Sequence, residues 1–279
     1  MPPAYRAVFA EWSPPVFLTG TLIVLGAVYA RGWFFLRKTR RAQFSPWRLG
    51  SFMAGLCVIW VAIASPLDGF ADALLSAHMV EHLLLMSFAP PLLLLGHPVV
   101  PLLRGIPRGL TVHLLGPLIR VKKLRYVAHL LITPLMAWSA MNLVFLGWHV
   151  PRAYDFALEH EPWHQFEHLC LFGTSILFWW PVIRPWPTRD KYAGWLLLLY
   201  LVMADIVNTL LSAFLAFCDR PVYPYYLRGP SSFNLSALSD QRAGAVVMWV
   251  VGSLVFLVPA VVLTMRLLQR GEQGEIQSH

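Results

Sequence analysis

The chain has 279 residues, 57% of them hydrophobic and only 13% charged, with a formal net charge of +8. Soluble domains carry about 25% charged residues, so the composition excludes an ordinary water-soluble domain. The positive balance alone would also suit nucleic acid, and only the placement of the basic residues decides between that partner and a membrane surface.

In chain order, apolar stretches occupy about 15–36, 49–64, 75–95, 127–148, 163–181, 192–217 and 241–267. Most approach or exceed the roughly 20 residues that cross a bilayer as helix; the second is short and is expected to stand upright. The runs are continuous, whereas a membrane barrel needs alternating segments of about ten residues. These patterns predict an all-α integral membrane bundle of seven transmembrane helices, a single domain over residues 1–279. The start, "MPPAYRAVFAEWSPP", has neither the charged opening nor the small-residue cleavage site of a signal peptide. The first span is therefore expected to stay in the mature protein.

Basic residues mark one side. Between spans one and two lie Arg31, Arg37, Lys38, Arg40, Arg41 and Arg48; between three and four lie Arg104, Arg108, Arg120, Lys122, Lys123 and Arg125. Arg184, Arg189 and Lys191 follow span five, and Arg266 and Arg270 end the chain. The alternate side holds only Arg6, Arg152, Arg220, Arg228 and Arg242. Positive residues gather on the cytoplasmic side, so the N-terminus is expected outside and the C-terminus in the cytoplasm. The basic loops are read as topology signals that touch lipid headgroups, not nucleic acid. The Pro/Gly-rich stretch 96–117 reads as a cytoplasmic loop, and the Tyr-rich part of 219–239 suits the headgroup belt. Cys57, Cys170 and Cys218 fall in separate spans with no C-x-x-C spacing, so they read as small buried residues.

Of ten histidines, His78, His82, His149, His160, His164 and His168 map to the same ends of spans three, four and five. Both "HMVEH" (from His78) and "HQFEH" (from His164) read H-x-x-E-H. Residues four apart share a helix face, so each motif aims two imidazoles one way. Imidazole binds Zn, Cu, Fe and Ni, and methionine suits Cu(I). Met86 continues the His82 face one turn deeper. Glu81 and Glu167 could orient ligating imidazoles or coordinate directly. Asp240, near the start of span seven, could reach the same region or simply cap its helix. Asp205 and Asn208 lie inside span six, where they serve either function or interhelical hydrogen bonding.

Three chemistries fit these residues. H-x-x-E-H is a zinc-protease motif, with two histidines on zinc and the glutamate activating water. Bis-histidine haem would draw one histidine from each of two helices. A histidine-rich copper site would load and release metal.

The stretches "HMVEHLLLMSFAPPLLLLGHP", "FWWP" and "SDQRAGAVVMW" resemble the CtaG-type cytochrome c oxidase assembly family over roughly residues 15–268. The resemblance implies a seven-span protein of the plasma (inner) membrane that serves maturation of a copper-containing oxidase. It carries the family's histidine pattern onto His78, His82, His149, His164 and His168, and its acidic position onto Asp240; His160, ahead of Pro162, is not carried over. The resulting expectation is an assembly factor or metallochaperone rather than an enzyme. Copper would be bound by those residues with Glu81, Glu167 and Met86, with zinc or haem as alternative cofactors. Its partners would be oxidase subunits or a copper chaperone.

Overall fold

A computed structural model describes residues 3–188, 192–227 and 229–276. Arg189, Lys191 and Arg228 of the charge pattern lie outside the described residues. The fold is all helical, and no strand forms among the described residues. Six helices are long and apolar enough to cross a membrane: Val16–Arg37, Pro46–Ala64, Leu75–Leu95, Glu161–Ile183, Gly194–Phe217 and Ala237–Gln269. A bent pair, Lys122–Leu131 and Pro134–Trp148, makes a seventh only if its two helices count as one span. Ile23, Val24, Leu143, Leu169, Leu210 and Leu254 are exposed on the outside of the bundle, where lipid is the solvent that suits them. Cys57 is exposed too, and Cys170 and Cys218 are half-buried, so none of the three occupies the interior expected of it.

The fourth span differs from the continuous helix expected over 127–148. Pro134 has no N–H to continue a helix and pushes Thr133 into extended backbone (φ −68°, ψ 143°). The Thr133 hydroxyl donates to the Leu130 carbonyl at 2.7 Å, and the axis turns by 70°. The remaining 15-residue helix rises about 22 Å, short of the roughly 30 Å hydrocarbon core. The bent-off segment exposes Leu124, Tyr126, Val127 and Leu130 beside Lys122, Lys123 and Arg125, the composition of a helix lying in the membrane interface.

The third span is the axis of the assembly, and each part of it is tied to a different neighbour. Its Leu75 and Ser76 amides, orphaned at a helix N-terminus, donate to Asp240 of the seventh span at 2.7 and 3.3 Å. The Ser76 hydroxyl donates to the same carboxylate. Asp240 thus caps the third span and not its own helix. Further along, Pro90 cannot donate to the Met86 carbonyl. The helix passes through a π turn at Leu84–Phe88, and the freed Met86 carbonyl accepts from Trp179 Nε1 of the fifth span at 3.1 Å. At the far end, Ser51 Oγ donates to the Leu92 carbonyl at 2.7 Å and Arg48 Nη1 to that of Leu95 at 2.9 Å.

Two glycines allow the tightest approaches. A Cβ on Gly32 would collide with the Pro101 carbonyl, and one on Gly105 with that of Val28. The short helix Val99–Gly105 therefore seats directly on the first span. Inside the sixth span, Asp205 accepts from Ser253 Oγ at 2.7 Å and Asn208 Nδ2 donates to the Met248 carbonyl at 3.4 Å. Both bonds run to the seventh span, so both residues make interhelical bonds.

Candidate metal centre

The two H-x-x-E-H motifs face each other between spans three and five. Leu75–Leu83 is regular helix, so His78 and His82 stack on one face, with their Nε2 atoms 2.8 Å apart. Pro162 occupies the first turn of Glu161–Ile183, where its missing N–H costs nothing, and the turns that follow carry His164 and His168. The His78 and His164 rings stack at 5.2 Å, and the His82 and His168 rings meet edge-on at 5.5 Å. His149 ends the fourth span 6.0 Å from His82, ring to ring, and its Nδ1 donates to the Phe145 carbonyl at 2.7 Å.

The glutamates pair crosswise. His82 Nε2 lies 3.5 Å from Glu167 Oε1, and His168 Nε2 lies 3.8 Å from Glu81 Oε1. Each motif thus offers its carboxylate to a histidine of the other. Both distances exceed a hydrogen bond, and both carboxyl groups are fully buried. Neither glutamate has an arginine or lysine ion pair among the described residues.

The centre is rich in buried polar atoms with no protein partner. They are the Nδ1 atoms of His78 and His82, the Nε2 atoms of His149, His164 and His168, and both oxygens of Glu81 and Glu167. Leaving one such atom unsatisfied costs about 1–3 kcal/mol, and that many together in one place is the pattern of a ligand set. One donor atom from each of His78, His82 and His168 lies within 4.8 Å of the others, and the same holds for His78, Glu81 and His164. Ligand atoms about 2.1 Å from a tetrahedral ion stand roughly 3.4 Å apart, so either trio closes on a cation by a small contraction. The residues fit a metal ion.

Asp240 and Met86 are not drawn into these trios. The Asp240 oxygens are taken up by the third-span cap, which fixes the backbone that carries His78. Met86 lies one turn below His82, buried against a separate small cavity. His160 is exposed, bonded through Nδ1 to the Phe156 carbonyl at 2.9 Å, and stands apart as expected.

A tyrosine cover was not foreseen. Tyr154, Tyr223 and Tyr226 are buried, not set in the headgroup belt. Tyr154 lies 5.2 Å from the His78 ring and 4.1 Å from the Tyr223 ring. Tyr226 donates to the Ala71 carbonyl at 2.8 Å, and Tyr223 to that of His149 at 3.2 Å. Gln241, next to the capping Asp240, accepts from the Val222 amide at 2.7 Å and donates to the Leu215 carbonyl at 3.1 Å. The adjacent pair Asp240–Gln241 therefore secures both the histidine helix and its cover. The unusual polarity of "SDQR" at a span's start was the available signal.

The centre is reached from one side. A cavity of about 570 Å³ runs past Phe17, Ile63 and Phe172 to His164 and His168, with Asp68 and Glu161 among its lining. Asp68 lies between spans, and burial, reinforced by Asp72 and Glu161, pushes its carboxyl up to about 6. The cavity thus joins carboxylates at one part of its wall to unpartnered imidazoles at another.

Over residues 27–270 the chain matches the family described as "Cytochrome c oxidase caa3 assembly factor (Caa3_CtaG)". The chain belongs to that family. The family match takes in all of the histidine centre, its capping Asp240 and the tyrosine cover. Similar curated proteins include an uncharacterized protein of Mycobacterium leprae, 27% identical over 262 residues. Others, of Mycobacterium bovis and Mycobacterium tuberculosis, are 26% identical over 261 residues. Each alignment covers 89% of this chain and 38% of the relative, so the chain spans about two fifths of their length. No solved structure matches it at a significant level.

Proposed function

We propose that this protein serves cytochrome c oxidase assembly by taking up a copper ion at the histidine–glutamate centre and passing it to an oxidase subunit or a copper chaperone. The copper is cargo. The observation that carries the reading is the crosswise pairing of two H-x-x-E-H motifs around a set of buried donor atoms that no protein group satisfies. Imidazole nitrogens beside carboxylates suit a first-row transition ion, and more donors than one ion needs allow partial ligand sets to form in succession. The side cavity, with Asp68 and Glu161, offers a cation a route to the centre.

The same pairing counts against a hydrolase built on one motif. There the glutamate serves the ion held by its own two histidines, whereas Glu81 and Glu167 each stand near the opposite motif's histidine, and the trio that joins Glu81 to His78 of its own motif takes its third donor from His164 of the other. The seven spans are those of a plasma-membrane protein with the N-terminus outside, by the distribution of basic residues; the histidine end then faces outward.

The test is metal analysis and an absorption spectrum of purified protein, followed by oxidase activity in membranes of cells carrying His164→Ala/His168→Ala. Bound copper and loss of oxidase activity are the expected outcome. A Soret band, or zinc with no copper uptake, would overturn it.

A further inference from the structure

A cavity of about 20 Å³ lies beneath the centre, lined among others by His82, Met79, Met86, Met141 and Met248. The thioethers come from the third, fourth and seventh spans, and all four are buried, none more than 6% exposed. They are four of the nine methionines in the chain. Met79, His82 and Met86 stand at i, i+3 and i+7, one helix face, and the π turn at Leu84–Phe88 carries Met86 in its middle. π turns inside helices recur at functional sites.

Methionine ordinarily fills gaps in a core, and interiors pack to high density. Here the four side chains leave a space about the size of one water molecule. The His82 ring, 3% exposed, borders it. Its Nε2 is engaged beside His78 and Glu167 in the centre above, and its Nδ1 has no partner. A water needs two to four polar partners, and Ser87, Asn142 and Asn208 offer some on one part of the wall, whereas the thioether part offers none of comparable strength. Thioethers are weak acceptors and a poor match to water, but they are soft donors that select Cu(I). The lining holds no carboxylate or thiolate, so its neutral donors favour a monovalent ion over zinc, which takes thiolate, imidazole and carboxylate.

We propose that Met79, Met86, Met141 and Met248, with Nδ1 of His82, form a second, cuprous site about one helical turn below the histidine–glutamate centre. The proposal deepens the copper reading, since His82 borders both sites; when both ions are bound through its two nitrogens, the ring is an imidazolate whose N–H proton has been released to solvent. The ion enters as Cu(I), and no redox step is involved.

The test is anaerobic Cu(I) titration of the full chain in detergent against a chromophoric chelator, with X-ray absorption at the copper edge. Wild type should bind two equivalents, with both nitrogen and sulfur scatterers. Replacing all four methionines by leucine, which roughly conserves volume, should remove one equivalent and the sulfur signal. Selenomethionine-labelled wild type, which avoids the variant's folding risk, should show selenium at the copper. In His164→Ala/His168→Ala, loss of the nitrogen-rich equivalent with the sulfur signal intact would uphold this site, whatever becomes of the centre above. Nitrogen or oxygen scatterers only, with no selenium in the labelled protein, would overturn the cuprous site and leave the histidine centre standing.

Discussion

His82 Nε2 stands 3.5 Å from Glu167 Oε1, and the relation is returned by His168 and Glu81 at 3.8 Å. Two helices that never adjoin in sequence thus share their donors as one set. His78 also stands in both trios of convergent donor atoms. Groups that form one ligand set behave non-additively. His78→Ala/His82→Ala and His164→Ala/His168→Ala should each lose nearly all of the metal held at the centre, and the quadruple variant little more. Metal content per chain at neutral pH, measured with Met79, Met86, Met141 and Met248 replaced by leucine so that only the centre is counted, checks this. Equal halves that add would mean two independent sites, one per motif.

The crosswise pairing also predicts which glutamate goes with which histidine. Glu81→Gln should weaken metal retention by roughly 10–100-fold, the usual loss when a partner of a ligating imidazole is changed. Its effect should largely vanish in a His168→Ala background, and that of Glu167→Gln in His82→Ala. Chelator competition across the two double-mutant cycles gives the coupling. Absence of coupling between Glu81 and His168, and between Glu167 and His82, would contradict the geometry.

Asp240 is predicted to act through structure. Asp240→Ala would strip the Leu75 and Ser76 amides of their acceptor and should cost about 1–3 kcal/mol. Asn keeps a side-chain carbonyl and is a good cap, so Asp240→Asn should recover much of that stability. Thermal unfolding in detergent separates the two. Equal melting temperatures for the Ala and Asn variants would remove the capping role.

Asp68 carries a pH signature. Its carboxyl is raised to about 6 by burial, then by Asp72 and Glu161, so the folded state holds the proton more tightly than the unfolded chain. Such a group's contribution is fully present below the ordinary carboxylate value of about 4 and is lost as pH rises through about 6. Asp68→Asn cannot titrate. The melting temperature of Asp68→Asn relative to wild type should therefore rise between about pH 4 and pH 7 and then level off. A difference that is flat with pH would deny the raised pKa.

The orientation has its own check. A reporter fused after Gln277 should behave as cytoplasmic, and one inserted in 219–239 as external. The reverse pattern would turn the histidine end toward the cytoplasm and overturn the proposed outward-facing route for copper.

The membrane class, six of the spans and the two histidine pairs were legible from residue order, because bilayer thickness and helical pitch are fixed lengths that a local pattern either meets or fails. Where local pattern and local chemistry compete, local chemistry decides. The hydropathy of 127–148 is continuous, yet Pro134 breaks the helix, since a missing N–H outweighs a run of apolar side chains. Tyr223 and Tyr226 have the composition of an interfacial belt, yet they lie buried over the centre, because Gln241 pins the chain beside them through Val222.

What the sequence determined by itself is therefore which residues share a face: His78 with His82, His164 with His168, and Met86 one turn on. The tertiary structure alone decided which faces meet. It set Glu81 against His168 and Glu167 against His82, sent Asp240 to cap the third span, and brought Met141 and Met248 to Met79 and Met86. Helical spacing is a property of the local backbone and can be read residue by residue. The rotation and depth at which one span packs on another come from side-chain fit and satisfied polar groups across the whole bundle, which no single segment encodes.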